Sequence, residues 1–522
     1  MFVRIKSSGD RKYLQIVESR REGRKVRQRV IATLGRLDHL RERGHLDGVV
    51  RSLVRFSEKL EVVEAHAAGA LEARSVVKLG PGLIFGRLWE QTGIEGVLHA
   101  LLSDRGFTFP VERAVFLTVV HRIFSSGSDR QAHKWVRDVR LEGIEDVSLH
   151  HLYRAMAWLG TTREQIEEHL FARRRDLFSS LEMVFFDTTS LYFEGEGGEG
   201  LGARGYSRDH RPDLPQMIVG AVLDQTGRPI CCPMWPGNRT DVTVLLPTID
   251  RLRLRFGVQD VVVVADRGML SQDTVLALER RKLRYILGTK LRRQKEVTEE
   301  VLSRAGRYQK VTDTLWVKEV WVEERRYVVC FNPEEAERDA LVRQVLLEHL
   351  EAQLSKGAKT LVGNRGYRRY LKVDKEAVAV DHKKVAQEAR YDGKYVLRTN
   401  TSLAPEAVAT RYKELWRVER LFRTAKNSLD TRPIFHHFDA TIQGHVFVSF
   451  LALVLMRQLE EHLEAKGCSL EWPDILRDLE ALYQVEVLHH GHPFRLRSPL
   501  QGGCGKVFQA VGVAIPPSVE TG

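Results

Sequence analysis

Two aspartates stand where an isolated anion is least expected. Asp187 lies in the middle of LEMVFFDTTSLYF and Asp266 ends VQDVVVVADRG, runs otherwise apolar and β-branched that read as strands. An ionised carboxylate in such a setting is costly to bury unless a cation, a metal ion or loss of its charge offsets it. Taken singly, each is more often a turn or cap residue. Taken together, at matched heights on neighbouring strands, they can converge on one divalent ion, and such an arrangement needs a third acid. The best one lies far downstream in TRYKELWRVERLFRTAKNSLDTR, which the spacing predicts as one helix. Leu415, Val418, Phe422, Ala425 and Leu429 form its core-facing stripe. Tyr412, Glu419 and Lys426 are seven apart, and seven residues at 100° fall within ~20° of two turns, so they form a second line flanking the first. Glu419 is therefore expected at the edge of the core, leaning toward Asp187 and Asp266. Its alternative is an ion pair with Arg423 at i+4.

The elements around the two aspartates follow in a recognisable order. After the Asp187 strand come QMIVGAVLDQTG and RPICCPMWPGN as two more strands, the helix TDVTVLLPTIDRLRLRFG, the Asp266 strand, the helix SQDTVLALERRK and the strand RYILGTKL. This βββαβαβ order is that of an α/β, ribonuclease H-like catalytic core, a mixed sheet with flanking helices in which the first and fourth strands are neighbours. Asp187 and Asp266 are 79 residues apart, whereas Glu419 follows only after another 153, too many for one connection in a compact core. The reading therefore places a β-rich insertion at 292–390, with strands in VTDTLWVKEVWVEERRYVVCF and a long charged helix behind them. The core is split into 181–291 and 391–466. Ahead of it, 1–74 reads as a basic β unit with a linker, and 75–180 as a helical domain with a possible role in binding DNA ends. The 467–522 tail is left for dimerisation. The Gly-heavy EGEGGEGLGARGYSRDHRPD is expected to be a mobile loop beside the site.

Charge and composition narrow the partners. The chain of 522 residues carries a formal +12, and nine of those charges come from the first sixty residues, with 16 Lys and Arg against 7 Asp and Glu. Arg20, Arg21, Arg24, Lys25, Arg27 and Arg29 crowd into one short stretch there, a pattern suited to phosphate contacts. With 43% hydrophobic and 29% charged residues, collagenous and largely disordered classes are excluded. The five cysteines include no CxxC pair, which argues against a zinc module and fits a reducing compartment. The amino terminus lacks the apolar run of a signal peptide. Val446 to Met456 is too short an apolar stretch to span a bilayer and reads as a buried helix.

The motifs FFDTTSLYFEGEG, VVVVADRGML and YKELWRVERLFRTAKNSLDTRPIFHH resemble the three catalytic blocks of DDE transposases from bacterial insertion sequences, and more narrowly the insertion-sequence-four superfamily. The first thirty-five residues also resemble the opening of one branch of these enzymes. The superfamily's signature on the third block is Tyr, Arg, Glu and Lys; Tyr412, Glu419 and Lys426 match it, while Leu415 takes the Arg position and leaves Arg417 or Arg423 to supply that contact. The resemblance implies a catalytic, metal-holding triad of Asp187, Asp266 and Glu419, with Asp187 bridging two Mg²⁺ ions, for which Mn²⁺ can substitute. It implies DNA contacts at Tyr412, Arg417, Arg423 and Lys426, joined by Arg24, Lys25, Arg27 and Arg29 at the amino terminus. The implied activity is cut-and-paste transposition: cleavage at inverted-repeat ends of double-stranded DNA and joining of the 3′ ends to target DNA. A dimer on DNA, a cytoplasmic, nucleoid-associated location and the absence of a membrane or nucleotide cofactor complete the expectation. Two alternatives from other classes stay open: a metal-dependent nuclease that cuts without joining, and a non-catalytic DNA-binding derivative.

Overall fold

Strand alternation in the basic amino-terminal run produces an antiparallel meander of β1 (Phe2–Ser8), β2 (Arg11–Glu22) and β3 (Lys25–Arg36). The first turn passes through Gly9 at φ 58°, a conformation glycine adopts without strain. Across β2 and β3, Arg20 sits opposite Arg27, and like charges in that register repel unless an anion lies over them. Helices α1 (Leu37–Glu42) and α2 (His45–Val54) follow, then β4 (Leu71–Lys78). The structure, a computed structural model, describes residues 1–22, 25–42, 44–54, 66–174, 181–354, 369–373, 378–489 and 491–521. It divides into two units: Met1–Val77 with Leu482–Leu500 and Pro516–Gly522, and Lys78–Ala481 with Gln501–Ile515.

The second unit opens with α3 (Gly80–Thr92), α4 (Ile94–Leu102), α5 (Val111–Phe124), α6 (Asp129–Trp135) and α7 (Leu149–Arg174). Its central sheet begins with β5 (Met183–Tyr192), β6 (Gln216–Asp224), β7 (Pro229–Cys231) and β8 (Met234–Pro236). Helix α8 (Asp241–Arg255), β9 (Val262–Ala265), α9 (Gln272–Arg280) and β10 (Arg284–Gly288) follow. The strand order β7–β6–β5–β9–β10 has β5 antiparallel to β6 and parallel to β9, and β9 parallel to β10. That is the ribonuclease H-like mixed sheet. Val184 and Phe186 point to the face covered by α8 and α9, where they join Val244, Ile249, Val263, Val275 and Leu278 in one core.

The segment after β10 extends this sheet instead of making one of its own. Strands β11 (Gln309–Thr312), β12 (Leu315–Val322) and β13 (Arg325–Phe331) reach the core through β16 (Lys394–Thr399), which is antiparallel to both β13 and β10. Between β13 and β16 lie α10 (Pro333–Leu354), the paired strands β14 (Leu371–Val373) and β15 (Val378–Val380), and α11 (His382–Ala389).

The single helix expected around Glu419 is two: α12 (Pro405–Lys413) and α13 (Trp416–Asn427). Between them, the amides of Leu415, Arg417 and Val418 bond three residues back instead of four, which tightens the chain and turns it. Tyr412 and Glu419 therefore do not share one helical line, although Glu419 and Lys426 do. The buried face of α13, Val418 and Phe422, packs on β5 and β6, while α12 packs on β9, β10, β12 and β13.

Helix α14 (Asp439–Ala465) holds the Val446–Met456 run. It is long and apolar enough to cross a membrane, but 78% of its apolar window is buried within the protein. It packs on α3, α5 and α7. At its crossing with α7, a side chain on Gly160 would collide with the carbonyl of Ala440, and one on Gly444 with that of Met156, so the two backbones touch. Helices α15 (Trp472–Glu480) and α16 (Cys504–Val511) complete this unit. In the first unit, β17 (Tyr483–His489), β18 (His492–Arg497) and β19 (Val519–Thr521) form a four-stranded sheet with β4 in the order β19–β18–β17–β4.

Candidate active site

Parallel pairing of β5 with β9 sets Phe186 opposite Ala265, and each is followed at once by an aspartate. Asp187 and Asp266 thus leave neighbouring strands at the same height. The Asp187 carboxylate is 19% exposed and accepts a 2.7 Å hydrogen bond from the amide of Thr188. Burial pushes its pKa up to about 7; Arg208 opposes the shift, and Asp266 and Asp241 add to it. Asp266 Oδ1 accepts a 2.9 Å hydrogen bond from the Tyr412 hydroxyl on α12. That hydroxyl lies so close to Gly288 of β10 that a Cβ there would strike it. Burial and the Asp266 charge raise the Tyr412 pKa, so the phenol stays a donor. Its ring stacks on Tyr395, 5.9 Å between centroids.

A second pair of residues completes this cluster, and neither was singled out in the sequence. Thr188 is on the opposite face of β5 from Asp187 by the strand period, and its hydroxyl donates to Asp241 Oδ1 at 2.7 Å. Asp241 opens α8. Arg208 spans the group: Nη2 lies 2.7 Å from Asp241 Oδ2 and 2.9 Å from Thr188 Oγ1, and Nη1 lies 3.8 Å from Asp187 Oδ1. The loop that carries it, expected to be free, is tied at several points. Asp209, 6% exposed, pairs with Lys426 at 2.9 Å and Arg432 at 3.2 Å; the Arg208 amide donates to Ser190 Oγ, and the Gly200 amide to Asp439. A local signal for this existed in the arginines and aspartates interleaved with its glycines. Their partners lie 18 to 239 residues away.

Glu419 stands apart. It is exposed on the first turn of α13, and among the described residues its carboxylate has neither a hydrogen bond nor an ion pair; the Arg423 pairing is not formed. Its carboxylate does not lie in one ligand-sized cluster with Asp187 and Asp266: among the described residues, only Glu95, His99 and Glu112 form such a group of three. In that group the Glu95 and Glu112 carboxylates are already paired with Arg113.

The expected DNA contacts are placed unequally. Lys426 is held by Asp209, and Arg417 donates to the Gln225 carbonyl at 3.0 Å, so both are committed within the protein. Leu415 is 7% exposed, filling core at the place where the signature has an arginine. Arg423 is exposed on α13. In the first unit, Arg27 and Arg29 are exposed on β3; Arg24 and the Lys25 side chain lie outside what is described.

The donor set of the cluster suits a hard divalent cation. Asp187 and Asp266, at one height on neighbouring strands, offer only carboxylate oxygens, the donor type such an ion takes, and a side-chain cation already rests near Asp187. Glu419 would have to be brought to that pair.

Residues 3–66 match the family described as IS1634 family transposase, N-terminal domain, and residues 179–455, just over half of the chain, match the transposase DDE domain. Among solved structures, the chain is similar to the piggyBac transposase synaptic complex with hairpin DNA. The two are 12% identical, with 77% of this chain and 79% of that chain covered, at a TM-score of 0.37. No curated protein matches the chain. On the extent of the domain match, carrying both strand aspartates, the chain belongs to the DDE transposases of insertion sequences.

Proposed function

We propose that the protein moves its insertion sequence by cut-and-paste transposition, cutting at the inverted-repeat ends and joining the 3′ ends to target DNA, with Asp187, Asp266 and Glu419 as its catalytic and metal-holding residues. A DDE domain implies dependence on a divalent metal; the finer reading is two Mg²⁺ ions, with Mn²⁺ as substitute, and no nucleotide cofactor. Such ions, when bound, activate a water or 3′-OH and neutralise charge on the attacked phosphate. The observation that carries this reading is the matched height of Asp187 and Asp266 on parallel neighbouring strands.

The chain's own residues divide the remaining work. The Thr188 amide aims the Asp187 carboxylate, and the Tyr412 hydroxyl orients that of Asp266. Glu419 supplies the third carboxylate from α13, brought to the pair when DNA and ions bind. Arg423 is free to meet the DNA backbone, whereas Lys426 serves first by holding Asp209. The basic unit at 1–74, through Arg24, Lys25, Arg27 and Arg29, grips phosphates. Two ends handled together call for a dimer on DNA. The broader placement in the insertion-sequence-four superfamily rests on Tyr412, Glu419 and Lys426.

The test is incubation with Mg²⁺, paired element ends and a supercoiled plasmid target. Joined product is expected. Cut ends without joined product would leave a nuclease, and binding without cutting in either Mg²⁺ or Mn²⁺ would leave a DNA-binding derivative.

A further inference from the structure

The acidic pocket already contains a cation of its own. We propose that Arg208 is a resident counter-ion whose guanidinium must swing away before a divalent ion can bind Asp187. This inference rests on the metal-binding reading of Asp187 and Asp266 and goes beyond it.

The geometry carries the argument. The two Nη atoms of Arg208 face different acids: one lies 2.7 Å from Asp241 Oδ2, the other 3.8 Å from Asp187 Oδ1. Asp241 is built to hold it there. Its other oxygen takes the Thr188 hydroxyl, and its carboxylate fits against the turn after Asp266 only because Gly268 has no side chain; a Cβ there would sit 2.9 Å from Asp241 Oδ2. Asp187 and Asp241 both face the guanidinium, which offsets the repulsion between their charges. A divalent ion needs the same Asp187 oxygens at a distance near 2 Å. It would meet a positive charge a few ångströms away, and the two cannot share the carboxylate at low cost.

Departure of Arg208 is a side-chain movement. Its amide is bonded to Ser190 Oγ at 3.0 Å, and the next residue, Asp209, is clamped by Lys426 and Arg432, so the backbone stays in place while the guanidinium swings away.

The experiment is Mn²⁺ binding to the full chain without DNA, read by electron paramagnetic resonance, for the wild type, Arg208→Gln, Arg208→Lys and Asp187→Asn. Removing the guanidinium is expected to tighten binding by about tenfold. Arg208→Lys keeps the charge but loses the fork between Asp241 and Asp187, so its affinity should fall between the wild type and Arg208→Gln. Unchanged or weaker binding in Arg208→Gln overturns the proposal, as does Arg208→Lys tightening binding as much as Arg208→Gln. Asp187→Asn separates the two readings: if it binds Mn²⁺ as the wild type does, the metal reading itself fails. If it alone loses binding while both Arg208 variants match the wild type, the metal reading stands and the counter-ion fails. A measurement on the unsubstituted protein guards against misfolded variants. Exchange of the Arg208 guanidinium protons, read by NMR, should speed up when Mg²⁺ is added; unchanged or slower exchange overturns the proposal.

Discussion

Asp187 within β5 and Asp266 just past the end of β9 stand at one height on neighbouring strands, and each carboxylate has a donor of its own, the Thr188 amide for one and the Tyr412 hydroxyl for the other. Glu419, on the opening turn of α13, is exposed and has none among the described residues. One half of the acidic site is thus set by strand register before any ligand arrives, while the other waits on a helix joined through the tightened turn at Leu415. The difference separates two duties that a list of three acids would merge. In the proposed function the strand half selects and holds an ion, and the helix half makes catalysis conditional on substrate.

The largest effect expected from this division is at the strand half. Asp187→Asn or Asp266→Asn should lower cleavage of end DNA by about a thousandfold or more, as loss of a metal ligand does, while a mobility-shift assay still shows end binding. Retained cleavage would break the comparison at its root. Glu419→Gln should cost as much cleavage, yet leave Mn²⁺ affinity without DNA within about twofold, since its carboxylate is outside the cluster. If it weakens the DNA-free affinity as Asp187→Asn does, the two halves are one. Tyr412→Phe removes a single bond to a charged group and should slow cleavage by about tenfold, seen in single-turnover kinetics.

Smaller still is the pH effect. The folded Asp187 pKa of about 7 lies above the ordinary carboxylate value of 3.8, so between those values the folded state binds more protons than the unfolded one. Stability of the metal-free protein therefore falls as pH rises from 4 to 7. Glu167, also pushed up to about 7 by burial, adds to the same trend. The difference between wild type and Asp187→Asn in urea melts across that range isolates the share of Asp187: the wild type should lose more stability. For ion binding the sign reverses, with Mn²⁺ affinity rising up to about pH 7 as the competing proton leaves. The least drastic change lies outside the site. Arg27→Gln or Arg29→Gln should each flatten the salt dependence of end binding by about one unit of log–log slope, with cleavage at saturating protein unchanged.

Much of the strand half was legible because strand alternation and apolar runs are local. FFDTTSLYF and VVVVADRG announce both the elements and the acids that end or interrupt them, and the βββαβαβ order gives their adjacency. The helix half was legible in its residues but not in its shape, since nothing in YKELWRVERLF is a glycine or proline that would mark the turn at Leu415. Arg208 and Asp241 were missed for a different reason. They are 33 residues apart, join a loop to a helix start, and acquire meaning only beside Thr188 and Asp187. Likewise the β-rich insertion was visible as strands, but its union with the core sheet through β16 depends on which edge is free after folding.

Fe²⁺ placed in the divalent site, with peroxide and ascorbate, cuts the polypeptide wherever the metal is held, and the fragments locate it directly. Cuts are expected near residues 187 and 266 without DNA, joined by cuts near 419 once end DNA is bound. Fragments ending instead around Glu95 to Glu112, or no cutting near 187 and 266 in either state, would contradict the assignment of metal-dependent DNA cleavage to Asp187, Asp266 and Glu419.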